Sequence, residues 1–137
     1  SLATSKYDVY FEGQAAHAGG FPENGHSAIV AAANAVLNLT AIPRHSGGIT
    51  RVNVGMIQGG TGRNVIPDSA MIQIEVRGET TEINEYMDEQ ADVSVRLLQT
   101  CSVVPAAWYL RAPLNLSTVT RISFMTLAIW SESIFPD

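Results

Sequence analysis

Lysine is almost missing from this 137-residue chain: Lys6 is the only one, and Lys and Arg together number 8 against 13 Asp and Glu. With a formal net charge of −5, the chain has no basic patch to neutralise phosphates, so nucleic acid is a poor candidate partner.

Cysteine is equally scarce. Cys101 stands alone and cannot form an internal disulfide, which fits a reducing cytoplasm. No apolar run reaches the ~20 residues of a membrane span and no signal peptide is visible, so no membrane partner is expected.

Metal-binding and phosphate-binding patterns are missing as well. The three histidines, His17, His26 and His45, have neither H-x-x-x-H nor H-x-D spacing, and a single cysteine adds no ligand set. There is no G-x-x-x-x-G-K-S/T loop and no Ser-His-Asp arrangement that we would defend. We therefore predict no metal and no cofactor in this chain, which does not contain a complete catalytic machine by itself.

The composition is that of one globular domain. Apolar residues make up 46% of the chain and the mean hydropathy is +0.11, enough for a real core at this length. The chain begins with Ser1 rather than methionine, which suggests an excised fragment or residues left from cloning.

Hydrophobic periodicity predicts five elements in the first two thirds of the chain. They are a strand at 6–12, a helix from about 27 that ends before Pro43, strands at 50–57 and 70–78, and a helix from 81 to about 98. In the second strand we expect Val52, Val54 and Met56 to share one face. In the third strand we expect Ile72, Ile74 and Val76 to point inward.

This order of elements begins a split βαβ, ferredoxin-like layout. We predict an α+β sandwich with an antiparallel four-stranded sheet and two helices on one face. The fourth strand could come from residues 119–130. Residues 91–137 keep no clear period and carry few charges, so we divide the chain into a domain at 4–90 and a divergent C-terminal segment at 91–137. We interpret this segment as frame-shifted or non-native, with a divergent natural end as the alternative.

The stretch GQAAHAGGFP at 13–22 lies between the first strand and the first helix. Small residues around His17 leave room for a ligand or a second chain to approach, and an imidazole can donate to an oxygen that gains charge during a reaction. Two further side chains suit a substrate: the Asn64 amide can orient a polar group, and Arg77 can hold a carboxylate in a two-bond fork.

Each of these side chains also has a purely structural interpretation. His17 can be incidental to a tight glycine-rich turn. Arg77 can pair with a surface acid such as Glu75, and Asn64 can cap the turn before Pro67. Spacing alone leaves both interpretations open.

Four blocks of the sequence resemble a known family. They are FEGQAAHAGGFPENG, SAIVAAANAV, RVNVGMIQGGTGRNVIPDSA and IEVR, and they occur in the family's order and spacing over about residues 4–89. They are similar to the lid, or dimerisation, domain of the metallopeptidase family that includes aminoacylase, acetylornithine deacetylase, succinyl-diaminopimelate desuccinylase and glutamate carboxypeptidase.

The resemblance implies a domain that pairs with its twin and caps the substrate of a zinc-dependent amidohydrolase. In that family a separate catalytic domain holds two zinc (or manganese) ions, and a glutamate there activates the bridging water. The substrate would be an N-acyl or N-aroyl amino acid, such as aminobenzoyl-glutamate. By motif, His17 would stabilise the oxyanion in the partner's active site, while Asn64 and Arg77 would grip the carboxylate end of the substrate. His26 and His45 match no functional position and are expected to face solvent.

The family's metal ligands lie outside the lid, so hydrolysis by this chain alone is not expected, whereas a homodimer is. Two other functions stay open at this point. One is a free-standing ferredoxin-like module that binds or senses a small molecule through its glycine loops. The other is a purely structural pairing domain in which His17 and Arg77 have no chemical role.

Overall fold

The computed structural model describes residues 2–96, 107–111 and 119–122. It contains two helices, α1 (Ala28–Thr40) and α2 (Thr81–Arg96), and a short 3-10 turn at Pro22–Asn24. The strands are β1 (Ala3–Glu12), β2 (Ala16–His17), β3 (Thr50–Gly59), β4 (Val65–Ile66), β5 (Ser69–Gly78), β6 (Ala107–Arg111) and β7 (Val119–Ile122).

The main sheet has the order β3-β5-β1-β6-β7, and every neighbouring pair is antiparallel. Strands β2 and β4 form a separate two-stranded ladder. Both helices pack on one face of the main sheet and contact each other. The predicted α+β class and the two-helix layer are confirmed, with one more strand in the sheet than expected.

The strand beside β1 differs from the expected one. β6 occupies that position and pairs with residues 8–12, whereas β7 lies beyond it at the edge of the sheet. Of the predicted strand at 119–130, Val119–Ile122 form β7, the fifth strand in the sheet order, and residues 123–130 lie outside the described residues. The proposed division at residue 90 falls inside α2 and stays a prediction.

The core is built from alternating strand residues covered by an alanine-rich helix face. Val9 and Phe11 of β1 lie beside Ile72 and Ala70 of β5, and all four side chains are buried. Four alanines of α1 are buried above them: Ala28, Ala31, Ala32 and Ala35. Because alanine is small, this face allows α1 to approach the sheet closely. The helix lies mainly over β3 and β5. Full burial of a large side chain such as Phe11 contributes about 1.5–3 kcal/mol.

A bulge in β3 overturns one prediction about its faces. Val54 lies opposite Ile74, but Met56 lies opposite Gln73, so Gly55 is an extra residue in the ladder. Val52 and Val54 face the helices as predicted. Met56 is moved to the opposite face, and Ile57 takes the helix-facing position instead, opposite Ile72. The prediction for Met56 was wrong because an alternating sequence does not reveal a bulge.

A polar network joins β1 to α2. The Asn84 amide donates to Ser5 Oγ at 2.8 Å, and Ser5 Oγ donates to Asp88 Oδ2 at 3.0 Å. Burial raises the pKa of the neighbouring Tyr7 phenol to about 12, with a second contribution from its hydrogen bond to Asp88. The network therefore favours the protonated phenol in the folded state.

Tyr7 predicts an alkaline limit to stability. The unfolded phenol ionises near its ordinary pKa of 10, while the folded phenol keeps its proton up to about 12. The folded state then binds more protons between these values, so the contribution of Tyr7 to the free energy of unfolding is fully present below pH 10 and is lost as the pH rises towards 12. In Tyr7→Phe this part of the fall is absent. Urea midpoints at pH 8, 10 and 11 measure the difference, and parallel curves for the two proteins would contradict the prediction.

Candidate functional site

A loop between β1 and α1 carries His17, and its backbone is fixed at several points. Gly13 N donates to Asp68 O at 2.7 Å, and Gln14 and His26 exchange two backbone hydrogen bonds of 2.9 Å. A β-carbon on Gly13 would collide with the carbonyl oxygen of His26, so only glycine allows this approach. The loop is thereby held against the chain that enters α1.

The imidazole of His17 is exposed but anchored. Its Nδ1 accepts hydrogen bonds from the backbone N–H groups of Gly19 at 3.1 Å and Gly20 at 2.9 Å. A neutral imidazole has one donor and one acceptor nitrogen, so the neutral ring carries its proton on Nε2. The two glycine amides thus aim an Nε2–H donor away from the loop. Sequence reasoning chose His17 but missed the role of these amides, although the spacing H-A-G-G contains it.

Asn64 lies beside His17. Strands β2 and β4 pair His17 with Val65, and Ala18 N donates to Asn64 O at 2.9 Å. The Asn64 side chain is exposed, and within the described part of the chain its amide forms no hydrogen bond. His17 and Asn64, two of the three predicted site residues, therefore lie on neighbouring backbone segments. His17 offers its Nε2–H group and Asn64 a side-chain amide that is unbonded among the described residues.

Arg77 lies far from this pair in a single copy of the chain. It is near the end of β5, whereas β4 precedes the start of β5 at Ser69. Arg77 is eight residues along β5 from Ser69, the end of the strand nearest to His17 and Asn64, and eight strand residues span about 26 Å. The guanidinium also has a structural partner, since Nε and Nη2 contact Glu75 Oε2 at 2.9 and 2.8 Å. The pairing with Glu75 that the sequence left open is present, and a substrate role for Arg77 stays a prediction.

The other two histidines are half-buried, so the expectation that they face solvent is met only in part. His26 is held by its backbone pairing with Gln14. His45 packs edge-on against Tyr86 of α2, with 4.8 Å between ring centroids, and its Nδ1 accepts from Gly47 N at 2.9 Å. His45 therefore has a packing role, whereas His26 contributes through its backbone.

Within the described residues, no group of three or more His, Cys, Asp or Glu side chains could hold a metal ion. Among the same residues, neither helix is long and apolar enough to cross a membrane.

Comparison with known proteins decides the family. Residues 4–95 match the family model described as a peptidase dimerisation domain. The chain belongs to this peptidase dimerisation domain family. Its description indicates that the domain associates with other copies, and enzymes that carry it are generally metal-dependent.

Two curated relatives of this dimerisation domain share about half of its residues. The indole-3-acetyl-aspartic acid hydrolase of Enterobacter agglomerans is 56% identical over 90 residues, which are 66% of this chain and 21% of that protein. A component of the p-aminobenzoyl-glutamate hydrolase of Escherichia coli is 50% identical over 95 residues, which are 69% of this chain and 22% of that protein. The chain thus spans about a fifth of the length of these relatives.

A solved structure confirms the fold of the dimerisation domain. The aminobenzoyl-glutamate utilization protein from Klebsiella pneumoniae superposes with a TM-score of 0.78 and 46% sequence identity, over 96% of this chain and 33% of that chain. The predicted resemblance to the lid domain of the metallopeptidase family, and within it to aminobenzoyl-glutamate utilization protein A, is confirmed.

Proposed function

We propose that this domain pairs with a second copy and completes the active site of an amidohydrolase that cleaves an N-acyl or N-aroyl amino acid. The observation that carries the proposal is the anchored imidazole of His17. Two backbone amides hold Nδ1, which leaves Nε2–H free, and Asn64 is joined by a backbone hydrogen bond to Ala18, the residue after His17. A preorganised N–H donor of this kind stabilises the oxygen that becomes negative when an amide carbonyl is attacked.

An apolar edge supports pairing with a second copy. β3 is the end strand of the sheet, and no charged residue occurs from Val52 to Ile57. Beside this strand, α1 presents an exposed stripe that includes Ala33 and Leu37, and Leu37 is 68% exposed. A groove of about 400 Å³ lies between them. Natural sheet edges are usually protected by charges, prolines or bulges. β3 has the bulge at Gly55 but no charge or proline from Val52 to Ile57, so this edge suits continuation of the sheet by another copy.

Such pairing would also bring the separated site residues together. In an antiparallel pair related by a two-fold axis, the end of one strand lies beside the start of the other. Arg77 lies at the Thr50 end of β3, and the pair of His17 and Asn64 lies at the Gly59 end. We therefore place Arg77 of one copy at the same end of the joined sheet as His17 and Asn64 of the other.

The substrate class follows from the relatives. The two hydrolases described above are named for amides of aspartic acid and of glutamate. For the present domain we propose an N-acyl or N-aroyl derivative of an acidic amino acid, such as aminobenzoyl-glutamate, with Arg77 and Asn64 on its α-carboxylate. Two guanidinium N–H groups directed at one carboxylate give both affinity and orientation.

Other parts of the whole enzyme belong to the same proposal. Two zinc or manganese ions would be bound by a catalytic domain outside residues 4–90 and would supply the activated water. A cytoplasmic location and a divergent segment at 91–137 also stay predictions.

The test uses the full-length enzyme that carries this domain. We expect the purified, metal-loaded protein to release p-aminobenzoate from p-aminobenzoyl-glutamate, and a chelator to abolish the release. Liquid chromatography of both products measures the reaction. Absence of hydrolysis across a panel of N-acyl amino acids with neutral, acidic and aromatic side chains would overturn the proposed function.

A further inference from the structure

The open face of the sheet carries an excess of positive charge at the Thr50 end of β3. Arg51 lies directly opposite Arg77 in the β3–β5 ladder, and Lys6 lies opposite Glu75 in the β1–β5 ladder. Glu75 contacts Arg77 at 2.8 Å and Lys6 at 3.7 Å. Two cations therefore contact one carboxylate, and Arg51 adds a third positive charge beside Arg77, although the chain as a whole has a net charge of −5.

Arg51 differs from Arg77 and Lys6 because no acidic side chain is paired with it among the described residues. Its Nη1 donates to the carbonyl oxygen of Thr50 at 2.7 Å, and within the described residues it forms no ion pair. Like charges placed directly opposite each other in a sheet are destabilising. Because Glu75 already binds Arg77, an anion that approaches from the open face is the natural partner for Arg51.

We propose that Arg51 selects acidic amino acids by binding the side-chain carboxylate of the substrate, while Arg77 binds its α-carboxylate. The inference rests on the proposed function. Residues directly opposite in a sheet have Cβ atoms about 5 Å apart, and a short carbon chain joins the two carboxylates of a glutamyl or aspartyl group. Two neighbouring guanidinium groups therefore match the two carboxylates of one substrate.

The contacts favour Arg51 over Lys6 for this role. Lys6 already faces Glu75, and its side chain is 68% exposed. Arg51 keeps most of its five N–H donors after the single bond to Thr50, and its planar group can bind a carboxylate in two parallel hydrogen bonds. A substrate with a neutral side chain would still place its α-carboxylate on Arg77 but would leave Arg51 without an anion.

The test compares two substrates in the full-length enzyme. p-Aminobenzoyl-glutamate has the second carboxylate, and p-aminobenzoyl-glutamine replaces it with a neutral amide of the same shape. We expect the wild type to prefer the glutamate substrate in kcat/KM. In Arg51→Met this preference falls by about 10–100-fold, mostly through KM, because a charge-assisted hydrogen-bond pair is lost. Arg51→Lys keeps the charge without the fork and is expected to lie between.

Lys6→Met is the matched control, since it removes one positive charge from the same face. Its preference is expected to stay within about twofold of the wild type, because exposed charges are screened. The melting temperature of Arg51→Met should not fall, since the substitution removes a facing pair of like charges.

The outcomes separate this inference from the function on which it rests. An unchanged substrate preference in Arg51→Met overturns the role of Arg51. An equal loss of preference in Lys6→Met also overturns it, because the effect would then come from the overall positive charge of this face. A wild type that hydrolyses amides without preferring the acidic substrate also overturns it, while the amidohydrolase proposal stands. A wild type that cleaves no amide removes both.

Discussion

Replacing His17 by alanine in the full-length enzyme is expected to lower kcat by about 10²–10³-fold and to change KM much less. This is the scale observed when one preorganised oxyanion donor is removed. The effect on kcat dominates because the Nε2–H group would interact with charge that develops only in the transition state. Steady-state kinetics on p-aminobenzoyl-glutamate measures both constants.

His26→Ala is the control for this substitution. His26 lies on the same loop region but contributes through its backbone pairing with Gln14, so its side chain should be dispensable for kcat. An unchanged kcat in His17→Ala would leave the histidine with a structural role only. A similar loss in both variants would point to a disturbed loop rather than a missing donor.

Mixed dimers test whether the site is shared between copies. One copy carries His17→Ala and the other carries Arg77→Ala, and each homodimer alone is expected to be nearly inactive. If Arg77 of one copy works with His17 of the other, each mixed dimer contains one intact site, and random mixing restores about a quarter of the wild-type activity. If both side chains came from the same copy, no mixed site would be intact and mixing would restore nothing.

The elements that depend on local pattern could be predicted from the sequence. β5 alternates buried and outward residues along its whole length, and Ser27 caps α1 by accepting a hydrogen bond from Val30 N. By contrast, β6 reads AWYLR, which has no alternation of apolar and polar residues. Its place beside β1 depends on pairing between distant parts of the chain, which no local pattern contains.

The geometry of the candidate site could not be predicted from the sequence, because it depends on how separate strands and loops pair with each other. His17 and Asn64 are brought close in the backbone by two-residue strands, and these are too short to produce a period. Arg51 was missed because its importance emerges only in the register that places it opposite Arg77. The sequence suggested a carboxylate-binding role for Arg77, and the family resemblance supported it. No motif around Arg77 indicates that it lies about 26 Å from the loop of His17 in a single copy.

Ile57→Glu is expected to convert the dimer into a monomer. The side chain lies at the free edge of β3, is 51% exposed in a single copy, and lines the apolar groove beside α1. In an interface with two-fold symmetry each substitution occurs twice, so two carboxylates would have to be desolvated in one apolar contact. We expect the dissociation constant to rise by at least about 100-fold, and Leu37→Glu on the α1 stripe should act in the same way.

Val93→Glu provides the matched control, because Val93 is exposed to a similar extent, 48%, but lies on α2 and does not line the groove between β3 and α1. Light scattering should give a mass twice the 14.7 kDa of the chain for the wild type and Val93→Glu, and the mass of one chain for Ile57→Glu. In the full-length enzyme, Ile57→Glu should lose activity together with dimerisation, because each site would lack the other copy's His17. A monomeric variant that keeps its kcat would separate pairing from catalysis and refute the shared site, whereas a wild type that is monomeric at ~100 μM would refute pairing through this edge.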